Sequence, residues 1–156
     1  MATTVLQLER VPAPMADAAR HRRQMVCMVE LTPQTARAFR DVGRLIGRMW
    51  RLPAPVEDAA LVIVSEYVAN AWQHSGTKEV ALRLSASAAV LSLAVRDYGT
   101  WHPRADRPEW WHENGRGLAV VRRLAREAGG SAGCHHPASG GTIAWAHLGL
   151  AVRNTT

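Results

Sequence analysis

Glu66, Asn70 and His74 set a carboxylate, an amide and an imidazole at four-residue intervals within Ser65-Glu66-Tyr67-Val68-Ala69-Asn70-Ala71-Trp72-Gln73-His74. On a helix each such step turns about 40° past a full revolution, so all three side chains project from one side. Leu61, Val64, Val68 and Trp72 fall roughly opposite and form an apolar stripe. Such a helix has one face for a core and one for chemistry. Asn70 offers an uncharged oxygen to a hard cation. Mg²⁺ takes few protein ligands and completes its shell with water and phosphate oxygens, so one amide without a carboxylate cage suits it. Glu66, one turn earlier, is placed to accept a proton from an attacking hydroxyl or water.

Two further groups follow along the chain. Asp97-Tyr98-Gly99 closes a segment in which Leu91, Leu93 and Val95 alternate with polar or small residues. Asp97 shares the parity of those apolar residues, so it is expected to point inward, where a carboxylate needs hydrogen-bond partners. An inward Asp at a strand end can accept from an exocyclic amine such as that of adenine, and Gly99 leaves room for a base against the backbone. Gly115-Arg116-Gly117 opens an apolar-periodic segment, where free N–H groups and a helix dipole suit phosphates. Each signal alone is weak: a G-x-G before a helix is common, and D-x-G after a strand is often just a turn. Their order and spacing make them informative together.

The elements that must position these residues can be read from periodicity. Gln24–Leu31 reads as a strand. Thr32 caps a helix with Pro33 at its first position, running to about Trp50 on a stripe of Ala36, Phe39, Val42, Leu45, Ile46 and Met49. Pro53 and Pro55 break it. A second helix runs from about Val56 to His74 and ends at Ser75-Gly76. Val80, Leu82 and Leu84 mark one strand and Leu91, Leu93 and Val95 the next, with a small-residue turn over 85–89. The helix from Gly115 to about Ala128 has Leu118, Val121, Leu124 and Ala125 on its core side and stops at Gly129-Gly130. A strand near Ser131–His135, a Gly140-Gly141 turn and a strand Thr142–Leu148 finish the domain. The order predicts an α+β two-layer sandwich, helices on one face of a mostly antiparallel sheet. Residues 1–23 read as a flexible segment, 24–150 as one domain and 151–156 as a tail.

Composition narrows the class. Apolar residues make up 47% and charged residues 21% of 156, as in a soluble globular protein. No apolar run approaches the ~20 residues that span a bilayer, and no compact apolar segment opens the chain, so no membrane association and a cytoplasmic location are expected. Cys27 and Cys134 read as reduced, buried thiols. Cys134-His135-His136 does not space ligands for zinc, because adjacent side chains diverge. The net charge is +6 and the pI about 10.6. Nucleic acid is one implication of that charge. Arginines are spread along the whole chain, however, and a basic surface suits an acidic protein or a polyphosphate equally well.

As a set the motifs resemble the gyrase/histidine-kinase ATPase superfamily, and within it the stand-alone anti-sigma-factor serine/threonine kinases of actinobacterial type. The matching residues are Glu66-x3-Asn70-Ala71-x2-His74, Asp97-x-Gly99, Gly115-Arg116-Gly117-Leu118 and Gly141-Thr142, across about residues 25–150. The resemblance implies ATP and Mg²⁺ as cofactors, Glu66 as general base and Asn70 on Mg²⁺. It implies Asp97 on the adenine amino group, with Thr142 adding a hydroxyl nearby. Gly99, Gly115, Arg116 and Gly117 would shape the pocket and lid hinge, and His74 would either support a binding residue from behind or contact the phosphates, and would not be catalytic. Two features depart from the pattern. The first glycine box usually reads D-x-G-x-G, and Trp101 stands at its last position, without glycine's backbone freedom. The intervening loop also carries Trp101, His102, Trp110, Trp111 and His112, aromatics that either cover the sheet edge or stack on a ligand or partner.

The expected function is ATP-binding regulation by γ-phosphoryl transfer to a serine or threonine of an antagonist protein. A sigma factor and an anti-anti-sigma protein are the implied partners, and a homodimer is compatible with the resemblance. Two alternatives stay open: a non-catalytic module that holds ATP and sequesters a partner, and a basic nucleic-acid-binding protein with a degenerate pocket.

Overall fold

The computed structural model describes residues 23–100 and 115–151. They form β1 (Arg23–Glu30), α1 (Thr35–Trp50), α2 (Ala54–His74), β2 (Glu79–Ala86), β3 (Val90–Asp97), α3 (Gly115–Glu127), β4 (Ser131–His135) and β5 (Thr142–Gly149). The sheet order is β1-β2-β3-β5-β4, and every neighbouring pair is antiparallel. This is the expected α+β sandwich. Residues 1–22 and 152–156, and the loop with Trp101, His102, Trp110, Trp111 and His112, lie outside the described residues, so the readings made of them stand as sequence expectations.

The period-2 alternation of the strands sorts their side chains. Val80, Leu82, Leu84, Leu91, Leu93, Val95, Ala146 and Leu148 face the helices and are buried against Phe39, Ile63, Val64, Val68, Val121 and Ala125. Burying each large apolar side chain stabilises by roughly 1.5–3 kcal/mol. The register continues this inner face as a row of partners, Val29–Val80–Asp97–Thr142, so Asp97 sits at the end of an apolar layer. The opposite face carries polar pairs. His147 Nδ1 lies 2.9 Å from Ser92 Oγ, and Arg96 donates to Ser139 Oγ at 2.8 Å with its guanidinium 4.8 Å from the Tyr98 ring centroid.

Several local expectations shift. Pro33 lies in a turn and α1 begins at Thr35, because Thr32 and Thr35 bond reciprocally: the Thr32 N–H donates to Thr35 Oγ1 at 2.9 Å and the Thr35 N–H to the Thr32 carbonyl at 3.1 Å. On α1, Phe39 and Ile46 centre the buried stripe, while Leu45 and Met49 lie on its flank, 51% and 65% exposed. On α2 the stripe ends on Ala71, not Trp72, which is 51% exposed. The reason is the helical period: Ala71 stands seven residues after Val64 and returns to its side, whereas Trp72 is turned about 80° away. The turn before β3 is shorter than expected, since β2 extends through Ala86. Cys27 is half-buried, but Cys134 is exposed, because β4 is an edge strand. The two cysteines lie in one row across the sheet, four strand spacings or roughly 19 Å apart, far beyond disulfide reach.

Candidate functional site

The first cluster forms where β3 ends. Asp97 is 7% exposed. Its Oδ1 accepts from the Gly99 N–H at 3.2 Å, and it also accepts from the backbone and side chain of Thr142, its register partner on β5. Burial pushes its carboxyl above the ordinary value, while the Gly99 and Thr142 donors and the nearby His136 pull it back. The result is a buried carboxylate held by three donors from its own chain.

Two glycines make this arrangement possible by close approach. A Cβ on Gly99 would fall on the Ser75 carbonyl oxygen, and one on Gly141, itself at φ +76°, would fall on the Asp97 carbonyl oxygen. Ser75 is the C-cap of α2, so the first contact fastens the Asp97 turn to the helix that carries Glu66 and Asn70. The Ser75 hydroxyl donates to the Ala71 carbonyl at 2.8 Å and accepts from the Thr77 N–H at 3.2 Å, holding that helix end in place.

The second cluster lies along α2. Glu66 and Asn70 are half-buried on one face, a turn apart. A Cβ on Gly117 would collide with Glu66 Oε2, so the first turn of α3 comes directly onto that carboxylate. The free N–H groups and positive end of α3 therefore stand beside Glu66. Gly115 is the first residue of α3 and Arg116 the second. His74 lies in the last turn of α2, exposed. Between the clusters Tyr67 is buried and donates to the Trp145 carbonyl at 2.7 Å, pinning α2 to β5. Burial raises its phenol well above the ordinary value, so it stays a donor.

Among the described residues no group of three His, Cys, Asp or Glu side chains could hold a metal ion. A cation here would draw chiefly on phosphate and water oxygens with one amide, which fits Asn70 and Mg²⁺. The sequence did not point to His136. It follows β4, and the turn closed by the Gly140 N–H on the Pro137 carbonyl at 2.9 Å folds it back beside Thr142. A Pro-x-x-Gly turn between two strands is the signal that could have brought it forward.

An inward acceptor at a strand end, a helix face of Glu and Asn, and a glycine-opened helix meeting that face define a nucleotide-binding domain. The chain belongs to the histidine kinase-like ATPase domain family, whose model matches residues 29–143, and it is an ATP-binding domain. Among solved structures it is similar to the histidine kinase domain of a blue-light activated histidine kinase from Erythrobacter litoralis, with 28% identity and a TM-score of 0.50, over 63% of this chain and 46% of that one. The chain thus spans less than half of that protein's length. It also shares its fold with the ATP binding domain of PrrB from Mycobacterium tuberculosis, with 23% identity and a TM-score of 0.51, over 81% of this chain and 98% of that one. No curated protein matches it. Among the described residues no helix is long and apolar enough to cross a membrane.

Proposed function

We propose that this domain is an Mg²⁺-dependent serine/threonine protein kinase of the anti-sigma type. Adenine enters against Asp97, Thr142 and Gly99, its 6-amino group donating to the Asp97 carboxylate. The phosphates lie toward the N-terminus of α3, with Gly115, Arg116 and Gly117 about them and His74 on their outer side. Asn70 would hold Mg²⁺, which offsets phosphate charge when bound. Glu66 takes the proton of a serine or threonine hydroxyl on the antagonist protein. The hydroxyl oxygen bonds to the γ-phosphorus, the bond to the β–γ bridging oxygen breaks, and ADP leaves.

The observation that carries this reading is the meeting of Glu66 with Gly117. It puts a proton acceptor beside backbone donors suited to phosphate, which nucleotide storage alone does not need. In this reading the domain covers residues 24–150, works in the cytoplasm, and has a sigma factor and an anti-anti-sigma protein as partners. The test is incubation of the full chain with labelled ATP, Mg²⁺ and antagonist proteins encoded in the same genome. Label on a serine or threonine of one antagonist is the expected result.

A second reading rests on Trp101 in a glycine position. The protein then holds ATP and sequesters its partner without transfer. Tight ATP binding, stable partner capture and no label on any antagonist would replace the kinase with that module.

A further inference from the structure

The turn between β4 and β5 brings a third side chain to the Asp97 cluster. His136 Nδ1 lies 3.3 Å from the Gly141 carbonyl oxygen and 3.3 Å from Thr142 Oγ1. A carbonyl oxygen only accepts, so the nitrogen facing it carries the hydrogen. That N–H then points between the two oxygens, and Thr142 Oγ1 receives it. The hydroxyl hydrogen of Thr142 is left for another acceptor, and the Asp97 carboxylate is the one it meets. The three residues form a directed relay: imidazole N–H to threonine oxygen, threonine O–H to carboxylate oxygen.

We propose that His136 is a positioning residue of the base pocket, fixing the Thr142 hydroxyl and through it the direction in which Asp97 accepts the exocyclic amine of its ligand. This rests on the reading that Asp97 receives adenine. Without the imidazole N–H, the Thr142 hydroxyl is free to rotate toward the Gly141 carbonyl. Asp97 would then lose a donor and reorient. Gly141 itself cannot be replaced by a larger residue, since a Cβ there would fall on the Asp97 carbonyl oxygen and its φ is +76°. The freedom sits in the threonine rotor, and His136 removes it. Adenine discrimination thus depends on a residue that touches no part of the nucleotide.

The test is calorimetric titration of the full chain with ATP and with inosine triphosphate, which replaces the 6-amino group by a 6-oxo group, in Mg²⁺. The variants are His136→Ala, His136→Asn and His136→Gln. An asparagine amide nitrogen falls near the place of Nδ1, whereas the glutamine amide nitrogen falls near that of Nε2. His136→Ala and His136→Gln should weaken ATP about 2- to 12-fold, the range of one neutral hydrogen bond, and leave inosine triphosphate unchanged. His136→Asn should keep the wild-type preference. If wild type prefers ATP and His136→Ala keeps the full preference, the relay is overturned while Asp97 retains its role. Equal loss for both nucleotides in all three variants also overturns it, leaving a merely structural histidine. If wild type fails to prefer ATP, the adenine reading of Asp97 falls first and the relay with it.

Discussion

The two clusters are built by different means. Around Asp97 a buried carboxylate is held by bonds from its own chain: two backbone N–H groups and a half-buried threonine hydroxyl, with the exposed His136 imidazole behind that hydroxyl. Around Glu66 the carboxylate is half-buried on a helix face and is bounded by the backbone of α3. A recognition group gains from having one orientation. A proton acceptor must meet a substrate from another molecule, so it has to stay accessible. The proposed function puts selection at the β3 end and chemistry at the α2–α3 seam, and each half of that proposal can be broken separately.

The largest expected effect is at the seam. Glu66→Gln keeps size and reach but is a far poorer base, and a general base contributes about 10²–10⁴-fold to rate. Phosphotransfer should fall by that order while ATP affinity, read by calorimetry, stays within a few-fold. Unchanged turnover would remove Glu66 from the mechanism. At the other cluster, the charge-assisted bond from adenine to Asp97 is worth about 1.5–3 kcal/mol, or roughly 10- to 150-fold. Asp97→Asn should collapse the preference for ATP over GTP by that factor. GTP competing as well as ATP in the wild type would show that the buried acceptor selects nothing.

Two glycine substitutions sharpen the comparison. Gly99→Ala drives a Cβ into the Ser75 backbone, which cannot swing away, so it should cost about 1–3 kcal/mol and lower the thermal midpoint. Gly117→Ala meets only the end of the Glu66 side chain, which can turn aside. It should leave the midpoint nearly unchanged and reduce transfer by misplacing the carboxylate. The reverse pattern would mean that α3 is fastened at the seam and the Asp97 turn is not.

The smallest effect is the stability of the ligand-free domain. Burial raises the Asp97 carboxyl above its unfolded value, so the folded chain binds this proton more tightly than the unfolded chain. Its contribution to stability falls as pH rises from the ordinary carboxylate range through the raised value. Asp97→Asn should therefore raise the thermal midpoint at neutral pH, with the gain shrinking as pH drops through that window. A midpoint difference that does not change with pH would deny the burial penalty.

Much of this was legible in the chain. Parity alone places Asp97 inward, and the sheet register sets it there between Val80 and Thr142. The Gly-x-Gly marks a helix start, and α3 begins at its first glycine. Periodicity did less well where it had to choose between neighbours. Four-residue steps from Val64 lead to Trp72, but the buried side of α2 is centred on Ile63, Val64, Tyr67 and Val68, which puts Ala71 inside and Trp72 outside. The meeting of Glu66 with Gly117 depends on how two helices lie on the sheet, and no local pattern encodes that. His136 needs both the tight turn and the register of β5 before it becomes neighbour to Thr142.

The row of partners that separates the two cysteines equips the molecule with a reporter. Cys27 is half-buried and its thiol is pushed up by burial, so its reactive thiolate is scarce at neutral pH. Cys134 is exposed on the edge strand, two residues before His136. A thiol-directed fluorophore should attach there first and sit beside the base pocket, so that a single native side chain turns nucleotide arrival into an optical signal.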